Sequence, residues 1–304
     1  MAVRILLSGP SIPPAFDRIV LIFNPASSHH SDVLAKALHT ELGHRLPAMT
    51  VDLLPTAFAG HGRALAREVA AAGTPLIVSV SGDGGYNEVV NGAMDGGGRA
   101  VCAVLAAGNA NDHRRSTRRM PLIEAIVAGK VRRIDLLRLQ VGERVEAWSR
   151  YAHSYVGFGL TPVMALGIEG GTKGGLSELV SVVRTFRALE PFEIARADGA
   201  RAKLDSLVLA NVAYMAKYGK VSETGEPNDG LLEVIMLPHA RRWRIALMTL
   251  RAVTIGLGPQ ESVSSYEFTT VDPLPLQIDG EVMQVNAHTS VVVEVKHQAL
   301  ATLG

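Results

Sequence analysis

Ser81-Gly82-Asp83-Gly84-Gly85-Tyr86-Asn87-Glu88-Val89-Val90-Asn91-Gly92 follows an apolar run, Pro75-Leu76-Ile77-Val78-Ser79-Val80, that reads as a buried strand. Asn87 to Met94 has the pattern of a short helix, so the glycines lie where a strand hands over to a helix. A helix N-terminus offers free backbone N–H groups and the positive end of a dipole, which together suit a phosphate. Gly82, Gly84 and Gly85 let the main chain come close to a ligand and take positive φ where needed. Asp83 has no place against bare phosphate, but it fits beside Mg²⁺, which prefers carboxylate oxygens together with substrate phosphates. The fingerprint G-x-G-x-x-G fails at its last position, Asn87, and no G-x-x-x-x-G-K-[ST] occurs. Taken alone, the stretch fits a glycine-rich turn as well as a phosphate site.

Composition narrows the classes. The 304 residues are comfortable for two domains, and 47% hydrophobic against 19% charged residues can build real cores. A formal net charge of +1 argues against nucleic acid as a partner. Local basic clusters (Arg114-Arg115 with Arg118-Arg119, Arg132-Arg133, Arg241-Arg242 with Arg244) read first as solvated faces. The single cysteine, Cys102, lies in a buried-strand pattern and reads as core filler, so the fold needs no oxidising compartment. No apolar run of about 18 residues spans a membrane, and Ile5-Leu6-Leu7 is too short for a signal peptide. The expectation is a cytoplasmic protein whose membrane contact, if any, is peripheral.

Residues 1–18, with Pro10, Pro13 and Pro14, read as an extension. Ile19 to Phe23 is a first strand ending at Asn24-Pro25, a turn signal at a place where α/β proteins bind ligands. Ser31 to Leu42 has helical spacing with Ser31 as its cap; Thr50 to Leu54 is a second strand, and Gly62 to Ala72 an alanine-rich helix. His61 reads as an exposed loop residue. The strand to Val80, a helix and the Cys102 strand complete a βα alternation that implies a parallel sheet. A second loop, Ala106 to His113, follows the Cys102 strand and by itself reads as an Asn/Asp turn. From about Val131, alternating runs such as Ile134 to Leu139 and Leu204 to Met215 indicate antiparallel strands, with helices at 176–189 and 241–255. Asn228-Asp229-Gly230 is a turn before a strand, and Asp279-Gly280 a hairpin turn.

These stretches, in order, resemble the diacylglycerol kinase catalytic family, which includes bacterial soluble lipid kinases and the sphingosine and ceramide kinases. Ser81 to Gly92 resembles that family's G-G-D-G-T-x-N-E-V-x-N-G, with Ser81 in place of a glycine and Gly85 in place of the threonine. Asn24-Pro25 resembles its opening N-P-x-[SA]-G, and Thr56 with Gly60-His61-Gly62 its T-x-x-x-G-H-A region. Gly108, Asn111 and Asp112 match P-x-G-T-x-N-D, with Asn109 replacing a threonine; Asn228-Asp229-Gly230-Leu231-Leu232-Glu233-Val234 resembles D-D-G-x-[LF]-[DE]-V, and Asp279-Gly280-Glu281 matches x-D-G-E.

The resemblance implies an α/β nucleotide-binding domain over 19–130, completed by 291–304, and a β-rich lipid-substrate domain over 131–290. It implies ATP and Mg²⁺ as cofactors. Asn24, Pro25, Thr56, Gly82, Asp83, Gly84, Gly85, Asn87, Glu88, Gly108, Asn111, Asp112 and Glu281 would serve the nucleotide, with Asp83 at the reacting centre. Asp279 would be the general base toward a lipid hydroxyl in the interdomain cleft. Asp229, the Leu231 carbonyl and Glu233 would hold a structural Mg²⁺. The partner would be a lipid at a membrane surface, which the basic clusters could meet; a homodimer is left open. Gly85 and Asn109 remove hydroxyl donors, and a lost hydrogen bond to a charged group is worth roughly 1.5–3 kcal/mol. A non-catalytic nucleotide- or lipid-binding protein therefore stays open. So does a soluble-substrate kinase, since NAD kinases and phosphofructokinases share a G-G-D-G loop.

Overall fold

The computed structural model describes residues 15–27, 30–107, 120–143, 147–159, 190–212, 214–215, 219–220, 226–240 and 258–304. The loop at 108–112, the basic clusters at 114–119 and 241–244, and the expected helices at 176–189 and 241–255 lie outside them.

The first region alternates strand and helix: β1 (Ile19–Phe23), α1 (Ser31–Arg45), β2 (Val51–Pro55), α2 (His61–Ala71), β3 (Leu76–Ser81), α3 (Asp83–Asp95), β4 (Val101–Ala106) and α4 (Leu122–Ala128). Its strands are parallel in the order β2-β1-β3-β4. Strands covered on both faces read as continuous apolar runs, and alternate side chains of β1 show why. Ile19, Leu21 and Phe23 pack with Ala35, Leu38 and Leu42 of α1 and with Leu122 and Ile126 of α4. Val20 and Ile22 pack on the opposite face with Ala66, Val69 and Ala70 of α2 and with Tyr86, Val89 and Val90 of α3. From β1 the chain steps to β2 on one side and to β3 on the other. The switch between β1 and β3 opens a crevice at the carboxyl ends of the strands.

The second region is β-rich: β5 (Val131–Val141), β6 (Trp148–Ala152), β7 (Tyr155–Gly159), β8 (Phe192–Arg196), β9 (Arg201–Ala210), β10 (Tyr214–Met215), β11 (Gly219–Lys220), β12 (Leu232–Pro238), β13 (Glu261–Val263), β14 (Ser265–Thr270), β15 (Leu274–Ile278) and β16 (Glu281–Val285). β10 and β11 form a separate two-stranded sheet, while the other strands pair antiparallel with one another around a separate apolar cluster that includes Phe158, Leu207, Phe268 and Leu276. The last strand, β17 (Ser290–Leu303), joins both regions. It pairs antiparallel with β14 and β5, and its end pairs parallel with β4 through Ala301 and Thr302.

Four expectations need correction. Phe16, read with the extension, is buried in the first region's core, and Asp17 holds Thr74 through its carboxylate. α1 starts without a serine cap: His30, with φ 54, is the cap position and Ser31 is already helical. The run 204–215 does not continue as one strand, because β9 ends at Ala210 and bends at Asn211. Finally, α3 begins at Asp83 rather than Asn87. Gly84 and Gly85 form its first turn, and none of Gly82, Gly84 and Gly85 takes a positive φ.

Candidate functional site

Asn24 follows β1, Thr56 follows β2 and Gly82 follows β3, so the topology brings three sequence-predicted residues to one edge. A cavity of about 460 Å³ opens there, lined among others by Asn24, Thr56, Phe58, Ser79, Ser81, Gly85 and Glu88. Its size is that of a small-ligand site. Asn24 folds its own loop, its Oδ1 accepting the Ala26 N–H at 2.9 Å; Pro25 follows it, exposed. Gly82 caps α3 in an extended conformation (φ −84, ψ −171) and supplies no side-chain cap. The first backbone N–H groups of α3 therefore stand beside the cavity with the helix dipole behind them.

Glu88 faces the start of α2. Its Oε1 accepts the Gly60 N–H at 3.1 Å, and a Cβ on Gly62 would come within 2.7 Å of its Oε2. This carboxylate thus anchors the start of α2 to α3 while it lines the cavity. His61 is not a plain exposed residue: it accepts the Ala57 N–H at 3.0 Å and stacks on Phe58, ring centroids 4.6 Å apart. Phe58 itself stays 67% exposed at the cavity wall, a flat apolar face with one side uncovered.

The opposite face of α3 is polar and closed. Asn87 and Asn91, four residues apart, lie on one side of the helix. Asn91 accepts the Tyr151 N–H at 2.9 Å and donates to the Tyr151 carbonyl at 2.9 Å, as a neighbouring strand would. Asn87 donates to the same carbonyl and to Asp279 Oδ2, both at 2.8 Å. So the two asparagines fasten α3 to β6, and Asn87 does not line the cavity. Gly92 also has a packing reason: a Cβ there would run into the Arg63 carbonyl and lie 2.8 Å from Ala66 Cβ, so its bareness sets the α2–α3 approach.

Asp279 and Gly280, with φ 46 and 96, form the two-residue turn between β15 and β16, the left-handed pair expected for Asp-Gly. The Asp279 carboxylate is fully buried. Oδ2 accepts from Asn87 Nδ2 and from the His153 N–H at 2.7 Å; Oδ1 accepts the Ser154 and Tyr155 N–H groups at 2.9 and 3.0 Å. His153 Nε2 lies 3.3 Å from Oδ2 and 3.4 Å from the Asp83 carbonyl. A carboxylate offers about four acceptor positions, and all are taken. The general-base role expected of Asp279 is therefore not available in this arrangement, since a substrate hydroxyl finds no free lone pair. Asp83 contrasts with it: first residue of α3, half-buried, beside the cavity's Ser81 and Gly85 in sequence. Glu281 pairs with Arg150 at 2.7 Å, away from the cavity lining.

Asp229 is exposed and its Oδ1 accepts the Leu231 N–H at 2.9 Å, while Glu233 is buried in β12. Among the described residues no three His, Cys, Asp or Glu side chains gather as a metal cluster. The Asn228-Asp229-Gly230 turn is braced instead by Asp135, fully buried, which accepts the Gly230 and Gln298 N–H groups at 2.6 Å each and pairs with His297 at 2.9 Å. The signal for Asp135 was present as a lone acid in the apolar run Ile134 to Leu137. For His153 only a polar pair between two strands hinted at it. Ser79 and Phe58 carried no signal.

A mixed α/β chain with a cavity at the switch point of its parallel sheet and a β-rich second region is the architecture that results. Residues 18–139 match the family model of the diacylglycerol kinase catalytic domain. Three solved structures from Bacillus anthracis str. Sterne, each with diacylglycerol kinase in its name, share the fold. They are 17, 17 and 16% identical, with TM-scores of 0.70, 0.69 and 0.67, covering 95% of this chain and 97% of theirs. No curated protein matches the chain. Among the described residues no helix is long and apolar enough to cross a membrane.

Proposed function

We propose that the protein is an ATP-dependent lipid kinase that transfers the γ-phosphoryl group to a lipid hydroxyl. The observation that carries this reading is the cavity at the β1–β3 switch, flanked by the uncapped start of α3 and lying inside the matched catalytic segment. Phosphates would rest against the N–H groups of Asp83 to Gly85, with Asn24 and Thr56 across the cavity and Phe58 offering its open ring face to a base. Mg²⁺, when bound, neutralises charge on the phosphates, and Asp83 is the carboxylate placed to share in holding it. Asp83 is also the carboxylate we assign to take the proton of the acceptor hydroxyl, because it opens α3 between Ser81 and Gly85 of the cavity lining. Asp279 then keeps the His153–Tyr155 segment against α3.

The test is transfer from labelled ATP with Mg²⁺ into a mixed lipid extract. A labelled lipid made by the wild type and lost in Asp83→Asn supports the reading, and chromatography names the acceptor. ATP binding without any labelled product in the wild type overturns it in favour of a nucleotide-binding protein.

A further inference from the structure

The two departures at Ser81 and Gly85 are one feature. Ser81 ends β3 and Gly85 lies in the first turn of α3, and both line the cavity. A Cβ added to Gly85 would lie 2.7 Å from Ser81 Cβ and 2.8 Å from Ser81 Oγ. Real carbon atoms do not approach so closely, so only one of the two positions can carry a side chain on this backbone. The motif that this stretch resembles has its glycine first and its threonine fifth; here the side chain is first and the glycine fifth. The side chain stands at the strand end instead of the helix, against the gap that Gly85 leaves.

We propose that Ser81 supplies the phosphate-facing hydroxyl of this site, and that Gly85 is bare in order to make room for it. This rests on the nucleotide reading above. Ser81 donates to the Gly82 carbonyl at 2.9 Å, and its Oγ lies 2.6 Å from that of buried Ser79. With Ser81 donating forward, Ser79 donates to Ser81 and holds its oxygen in place. A phosphate oxygen arriving in the cavity replaces the Gly82 carbonyl as acceptor by rotation of one hydroxyl, and the bond from Ser79 stays. Ser81 is thus a binding residue and Ser79 a positioning residue.

The experiment is a cycle of Ser81→Gly, Gly85→Thr and the double variant, with Ser81→Ala as a variant of nearly unchanged volume. ATP affinity with Mg²⁺ is read by calorimetry and melting temperature in parallel. Ser81→Ala and Ser81→Gly should each weaken ATP binding about tenfold, the size of one hydrogen bond to a charged group, with Ser81→Ala melting like the wild type. Gly85→Thr alone should weaken binding further and lower the melting temperature. The double variant should return to within about threefold of the wild type, because the swap restores one hydroxyl and one gap. Additive losses in the double variant, or Ser81→Ala binding like the wild type, overturn the inference while the nucleotide reading stands. A wild type that does not bind ATP overturns both.

Discussion

Asp83-Gly84 and Asp279-Gly280 are the same dipeptide, brought so near each other that a Cβ on Gly280 would stand 3.9 Å from the Gly84 nitrogen. Their carboxylates nevertheless have different fates. Asp83 opens a helix, half-buried and two residues from Ser81 and Gly85 of the cavity lining; Asp279 sits in a hairpin turn, sealed, with every acceptor position filled. Burial is tolerable for the second because donors surround it, and those same donors keep it from further chemistry. An Asp-Gly pair in sequence is therefore not a role. For Asp279, the four donors already aimed at the carboxylate make its role architectural.

The largest effect expected is on Asp279. Asp279→Asn would turn part of the carboxylate into a donor facing donors, with a loss of roughly 2–5 kcal/mol read by urea unfolding. Unchanged stability with transfer abolished would restore the base role to Asp279 and break the comparison. Asp83→Asn should do the reverse: transfer falls by about a hundredfold or more, while the unfolding curve stays in place. Asn91→Ala removes both bonds to Tyr151 and should cost about 1–3 kcal/mol, again by urea unfolding, with ATP affinity unchanged. That outcome would sharpen the division of α3 into an open face and a fastening face.

The smallest effect belongs to a third carboxylate. Arg45, in a bidentate pair at 3.2 Å, holds exposed Glu124 below the usual carboxylate range. Because the folded-state value is depressed, its contribution is present at neutral pH and disappears as pH falls through that value. Exposure keeps the contribution small. Glu124→Gln should lower the melting temperature slightly at pH 7 and not at all in acid, as a melting series across pH would show.

The parallel half of the fold was legible because strands covered on both faces read as apolar runs, as Ile19 to Phe23 does and Leu76 to Val80 does but for Ser79. The start of α3 was not, because glycine is a poor helix former in general while the first turn asks less of it. Core placement of Cys102 was legible from its strand, and full burial pushes its thiol up to about 12. The cavity edge at Asn24, Thr56, Gly85 and Glu88 followed from motifs at strand ends. What could not be read was partnership across long separations. The donors to Asp279 come from positions 124 to 192 residues away, and no local pattern encodes them. Ser81 and Gly85 were each visible as departures, but their mutual exclusion is a distance between a real side chain and an absent one.

The final strand has a bearing on how the molecule is made. Thr302 hydrogen-bonds to the Cys102 carbonyl across 200 residues, and Leu303 is almost fully buried in the first region. During synthesis β4 therefore waits with an unpaired side until Ala301 and Thr302 have left the ribosome, an open edge of the kind that invites pairing with other chains. Sequence separations of this size also slow folding. The parallel sheet should not mature ahead of the β-rich region, as an independent N-terminal unit would. Both should complete together, in a late closing step set by arrival of residues 300–303.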